Sequence, residues 1–159
     1  MRARIVAVLV TAVVAVGSFL PATDAAAHWL PGPCALIQAP TESIQHLSAR
    51  EITCAVEQFG PVPGGAERAI CIARRESGLN PTAASRPTGM YVGLYQHLAA
   101  AWPARFADWT SPAWRLPSSP FSARTNAIVT IRMVQAMGRW PAAGWPSRGC
   151  MGKPRPKPG

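Results

Sequence analysis

The four cysteines, Cys34, Cys54, Cys71 and Cys150, constrain this chain more than any other feature. An even number in a short exported chain implies two disulfides, and sequence alone leaves all three pairings open. Zinc is the competing use. Zinc ligands usually come in close pairs such as C-x2-C, and neither these cysteines nor His28, His46 and His97 are spaced that way.

Export is read from the first residues. Arg2 and Arg4 precede an apolar run over residues 5–20, and Pro21, Asp24 and Ala25-Ala26-Ala27 follow, the order of a secretory signal peptide cut after Ala27. The 16 apolar-region residues, with Thr11, Gly17 and Ser18 among them, fall short of the ~20 that span a bilayer, so no stable membrane anchor is expected. Cleavage takes away Arg2, Arg4 and Asp24, so a formal +9 on 159 residues becomes +8 on 132. Outside the cell that charge reads as attraction to an anionic polymer such as a cell wall, or simply as solubility, rather than as nucleic-acid binding.

Helical patterning dominates, and alternating strand patterns are nearly absent, so the expected fold is mainly α: one disulfide-stabilised domain. Residues 28–47 are proline-rich at first and read as an irregular arm. Ser48-Ala-Arg-Glu51 has the form of a capping box, with Ile52, Val56 and Phe59 at helical spacing until Gly60-Pro61. A second helix covers Ala66 to Ser77. On a wheel at about 100° per residue, Ala66, Ala69, Ile70, Ile72, Ala73, Glu76 and Ser77 share one half, with Glu67, Arg68, Cys71, Arg74 and Arg75 opposite. Cys71 on the polar arc should tie this helix to a peripheral segment. Tyr91 to Gln96 reads as a short strand or extended loop, and Leu98 to Trp102 as helical before Pro103. Ser122 to Met137 is a further helix, closed by Gly138. Residues 151–159 form a basic, proline-spaced tail, expected to be disordered.

Six carboxylates survive cleavage: Glu42, Glu51, Glu57, Glu67, Glu76 and Asp108. Glu42 lies near a helix start, Glu51 serves the capping box, and Glu57 and Glu67 lie on polar faces. Glu76 alone breaks the pattern, standing on the apolar face at the C-terminal end of its helix. Burial and the macrodipole both disfavour its anion and push its pKa upward, as a proton donor requires. Asp108 lies among Trp102, Phe106, Trp109 and Trp114, with nothing to place it beside Glu76.

Arg75-Glu76-Ser77-Gly78-Leu79-Asn80-Pro81-Thr82-Ala83, followed by Gly93-Leu94-Tyr95-Gln96-His97, resembles the E-S-G-x-x-P-x-A and G-L-x-Q motifs of the lytic transglycosylases related to goose-type lysozyme. The resemblance spans roughly residues 66–150, weakly so at Asn126 and Gly138-Arg-Trp140. It implies a lysozyme-like helical domain over 48–150 that cleaves peptidoglycan between N-acetylmuramic acid and N-acetylglucosamine. Glu76 then matches the family's single acid/base, Ser77 the hydroxyl beside it, and Gly93, Leu94, Tyr95 and Gln96 the segment that lines the substrate cleft. Asn126 matches, more loosely, an asparagine of the following helix. No cofactor or metal is implied, and a monomer is expected. The family's A-Y-N-A-G tyrosine, which positions the acid, is replaced by Pro141-Ala-Ala-Gly-Trp145, leaving Tyr91 and Tyr95 as acid-orienting candidates.

Three rivals follow from the residues. A catalytically degenerate wall-binding module would keep the fold and lose the chemistry. Cleavage after Ala27 would expose His28 as an N-terminal copper ligand, but copper oxidases of that kind resemble β-sandwiches. A serine hydrolase lacks its G-x-S-x-G elbow here. Of the tryptophans, Trp29, Trp102, Trp109, Trp114, Trp140 and Trp145, one or two are expected in a cleft and the rest in the core.

Overall fold

The computed structural model describes residues 32–145, 149 and 150. The leader, His28, Trp29 and the basic tail lie outside these residues, as does the copper ligand that cleavage would expose. Four helices carry the fold: α1 (Ile44–Phe59), α2 (Gly65–Ser77), α3 (Trp102–Trp109) and α4 (Ala123–Met137). Two short strands, β1 (Tyr91–Val92) and β2 (His97–Leu98), pair antiparallel between α2 and α3. Among the described residues no helix is long and apolar enough to cross a membrane.

The central pillar is α4. Residues 125–131, Met133 and Val134 are buried, so the helix is enclosed on nearly every side. Ser122 caps it by accepting from the Thr125 N–H, and Gly138 closes it in the left-handed conformation. Met137, the last residue of the helix, is exposed. Helix α1 packs along α4, α2 packs on α1, and α3 packs on α4.

The start of α1 departs from expectation. The N-cap is Ser43, whose hydroxyl accepts from the His46 N–H at 3.2 Å. Glu42 just before it pairs with Arg50 at 2.9 Å and His46 at 2.6 Å. The irregular arm therefore ends at residue 43, not 47. Ser48 and Glu51 lie inside the helix, both buried, and form no capping box. Position N3 of the true cap is His46, so the sequence signature is missing there and reappears by chance at Ser48. Pro103 also does not stop a helix. It occupies the first turn of α3, where its missing N–H costs nothing.

Glu51 pays for this placement with water. It is 4% exposed, one carboxylate oxygen finds no hydrogen bond, and burial raises its pKa to about 7 against the pull of Arg124 and Arg50. An acid whose folded pKa is raised contributes nothing adverse below its unfolded value, where both states are protonated. The folded state loses stability as pH rises from about 4.5 towards 7. Glu51→Gln is therefore expected to stabilise the protein by roughly 3 kcal/mol at pH 8 and by little at pH 4. Urea melts of both proteins across that range would measure it, and an equal gain at both pH values would contradict it.

The disulfides take one of the three open pairings. Cys34–Cys54 ties the arm to α1, and Cys71–Cys150 ties α2 to the C-terminal segment, the peripheral link that the polar placement of Cys71 suggested.

Candidate active site

Helix α2 buries Ala69, Ile72 and Ala73 and exposes Glu67, Arg74 and Arg75, as its periodicity predicts. Gly78, with φ 66°, ends it by donating to the Arg74 carbonyl. Glu76 is thereby held half-buried in the last turn. Burial raises its pKa, and the Arg75 guanidinium only partly opposes this. Arg75 projects to the exposed side, yet its charge still reaches the acid. The Glu76 carboxylate makes no hydrogen bond to any described residue, so little else favours its anion.

Glu76 opens on a cleft of about 370 Å³ lined by Tyr91, Gln96, Gly144 and Trp145. Tyr91 comes from β1, Gln96 from the turn before β2, and Gly144 and Trp145 from the segment beyond α4. Gln96 lies where the motif resemblance places it, and Tyr91, an acid-orienting candidate, shares the cleft with Glu76. Gly144 and Trp145, which carry no motif, join them from the very stretch that replaces the expected A-Y-N-A-G.

Tyr95 organises these parts from within. It is fully buried: its hydroxyl donates to the Ala69 carbonyl of α2 at 3.1 Å, and its main-chain N–H donates to Asn126 Oδ1 at 3.1 Å. Its carbonyl accepts from Trp145 Nε1 at 2.6 Å. One residue thus fixes α2, α4 and the tryptophan wall against one another. Burial pushes the phenol pKa well up, so it stays neutral. Tyr95 is accordingly neither a cleft-lining residue nor a direct partner of the acid.

Three further assignments change for the same reason. Leu94 is fully buried core. Asn126 is also fully buried, its amide divided between the Tyr95 N–H and the Pro120 carbonyl at 2.9 Å, so it shapes the loop and touches no ligand. Ser77 turns its hydroxyl back to the Ala73 carbonyl at 3.1 Å and does not line the cleft.

Gly93 is buried with φ 79°, and a Cβ there would collide with the Asn126 side chain and the Pro120 carbonyl. Its role is close approach. Gly93→Ala should cost roughly 3 kcal/mol from the strained backbone and overpacking together. A urea midpoint within error of the parent's would refute that account.

Gln96, with φ 49°, spends its amide nitrogen on the Ala83 and Gly93 carbonyls at 3.2 and 2.9 Å. Its amide oxygen is what it can offer a ligand. His97 is buried and neutral, its pKa pushed down to about 3 by burial and by Arg105. Nδ1 accepts from Arg105 at 2.8 Å, and Nε2 lies 2.8 Å from the Thr130 hydroxyl, which itself donates to the Asn126 carbonyl. Among the described residues no cluster of His, Cys, Asp or Glu could hold a metal ion.

The remaining acids stay apart from this cleft. Asp108 is exposed on α3, and Glu57 and Glu67 are exposed on their helices. Trp102 and Trp140 are core, Trp109 and Trp114 pack half-buried against it, and of the described tryptophans only Trp145 reaches the cleft. The chemistry available is thus that of one carboxylic acid, its pKa raised by burial, beside an aromatic wall. No family model, curated protein or solved structure matches the chain.

Proposed function

We propose that the protein is an exported peptidoglycan-cleaving glycosidase with a lysozyme-like helical domain, in which Glu76 is the sole acid/base. The observation that carries this reading is the half-buried Glu76, its pKa raised by desolvation, on the wall of an open cleft that no second carboxylate lines among the described residues. The motif resemblance around Glu76 and Gly93 to Gln96 supports the lytic transglycosylase form. Two disulfides fit the oxidising compartment in which such an enzyme would work.

Ordinary glycosidases use two carboxyl groups, about 5–5.5 Å apart for retention and about 6.5–9.5 Å for inversion. With one acid, the substrate supplies the missing group. Glu76 protonates the glycosidic oxygen while the substrate's own N-acetyl oxygen closes on C1. Glu76, now a carboxylate, then removes the proton of the sugar's 6-hydroxyl, which attacks C1 and forms an anhydro ring. Water attacking instead would give the lysozyme outcome. Neither route draws on a cofactor. Tyr91 and Trp145 bound the sugar, and Gln96 offers its amide oxygen to a hydroxyl or N-acetyl N–H.

Purified peptidoglycan incubated with the full chain in the presence of chelator should clear and release soluble fragments. Binding to the wall without clearing would favour the degenerate wall-binding module. That second reading draws its support from the Glu76 carboxylate, which accepts no hydrogen bond from a tyrosine among the described residues.

A further inference from the structure

The Glu76 cleft continues past Trp145. A hollow of about 90 Å³ shares Tyr91, Gln96, Gly144 and Trp145 as walls and adds Arg105 of α3. Arg105 is half-buried there, and its only described hydrogen bond runs from Nη1 to Nδ1 of His97 at 2.8 Å. That acceptor is an uncharged ring. Among the described residues no carboxylate pairs with Arg105, and both ion pairs belong to Glu42 on the α1 side.

A guanidinium carries five N–H donors in a planar fork, and His97 takes one of them. Withdrawing a cation from water without an anion is costly. Orienting a neutral imidazole requires no full charge, since a neutral donor would serve. The charge therefore calls for a second partner, and the hollow is where one can enter. Arg105 is also absent from the charges that act on Glu76, where Arg75 alone lowers the pKa.

We propose that Arg105 forms an anion subsite of the Glu76 cleft and takes a carboxylate carried by the bound glycan strand. The inference deepens the functional reading above and rests on it for the identity of the strand. A neutral glycan of N-acetylated sugars offers hydroxyls and amides only. A strand whose sugars bear acidic side groups, through an ether-linked acid or an attached peptide, offers a carboxylate that the guanidinium fork can take bidentately. Arg105 would then be the residue that selects acidic wall glycan over neutral glycan.

The test is calorimetric binding of a soluble disaccharide-peptide fragment of peptidoglycan, with its carboxylates free or chemically amidated, to the full chain. Wild type should prefer the free form by about tenfold or more. Arg105→Gln should bind both forms alike, at wild type's affinity for the amidated fragment, and Arg105→Lys should keep part of the preference. Equal affinities in wild type, a preference that persists in Arg105→Gln, or no binding of either fragment would overturn the proposal. Should Arg105→Gln fail to fold, the free and amidated fragments on wild type and Arg105→Lys still decide. Wall clearing is scored separately. A carboxylate preference without clearing removes the catalytic role of Glu76 and leaves the subsite standing; clearing without a preference does the reverse.

Discussion

Glu76→Gln is expected to lower kcat on purified peptidoglycan by about 10³-fold or more, with KM little changed, because general acid catalysis alone supplies about 10²–10⁴ and here one group does both proton transfers. Glutamine preserves the size and keeps a polar head but can neither give nor take the proton. The variant should fold at least as well as the parent. Burial raises the Glu76 pKa, so above the unfolded value the ionised carboxylate costs the folded state stability, and glutamine removes that cost. Loss of activity with an undiminished melting temperature therefore separates chemistry from folding. The same shift sets the pH profile. The first step needs the protonated acid, so kcat/KM should fall as pH rises through a pKa above the ordinary glutamate value. A fall already complete at that ordinary value would contradict the desolvated setting.

Breaking the Cys71–Cys150 disulfide should produce the largest change in stability. The bridge closes 79 residues of sequence, against 20 for Cys34–Cys54. On loop entropy the longer bridge contributes about 4.5 kcal/mol and the shorter about 3. For a chain of this size Cys71→Ser should lower Tm on the order of 15 °C, and Cys34→Ser by less. The longer bridge also fastens α2, which carries Glu76, to chain just beyond the Gly144 and Trp145 wall. Thermal unfolding of the two serine variants gives the ranking. A smaller loss for Cys71→Ser would mean that the buried Trp140 and Trp145 side chains hold the C-terminal segment without the bridge.

The parts of this fold that the sequence displays are those with strong local signals. Helix α2 is legible because small and branched apolar residues recur on one face and Gly78 follows, and α4 because Ser122 and Gly138 bracket its apolar stripe. The start of α1 is misread because Ser43 has no acidic residue three positions on, while Ser48 does. Glu51 is consequently mistaken for a surface cap when it is a buried acid.

Within the site, Glu76 is legible because a charge on an apolar face is a local anomaly. The G-L-Y-Q segment marks the right loop, but which of its side chains face inward depends on long-range partners. Tyr95 is drawn inside by Ala69, Asn126 and Trp145, each far away in sequence. The same holds for Arg105, whose place beside the cleft depends on His97 and on α3 packing against α4. Trp145 carries no motif, and its packing against Tyr95, His97 and Trp140 places it in the cleft wall with the acid.

Mass spectrometry of the soluble products from purified peptidoglycan tests most directly what Glu76 does to the glycan strand. Muramyl ends lighter by one water than their hydrated counterparts, produced by wild type and absent with Glu76→Gln, are the predicted result. Hydrated ends alone would contradict the transglycosylase route, and equal product from both proteins would contradict the assignment of Glu76 itself.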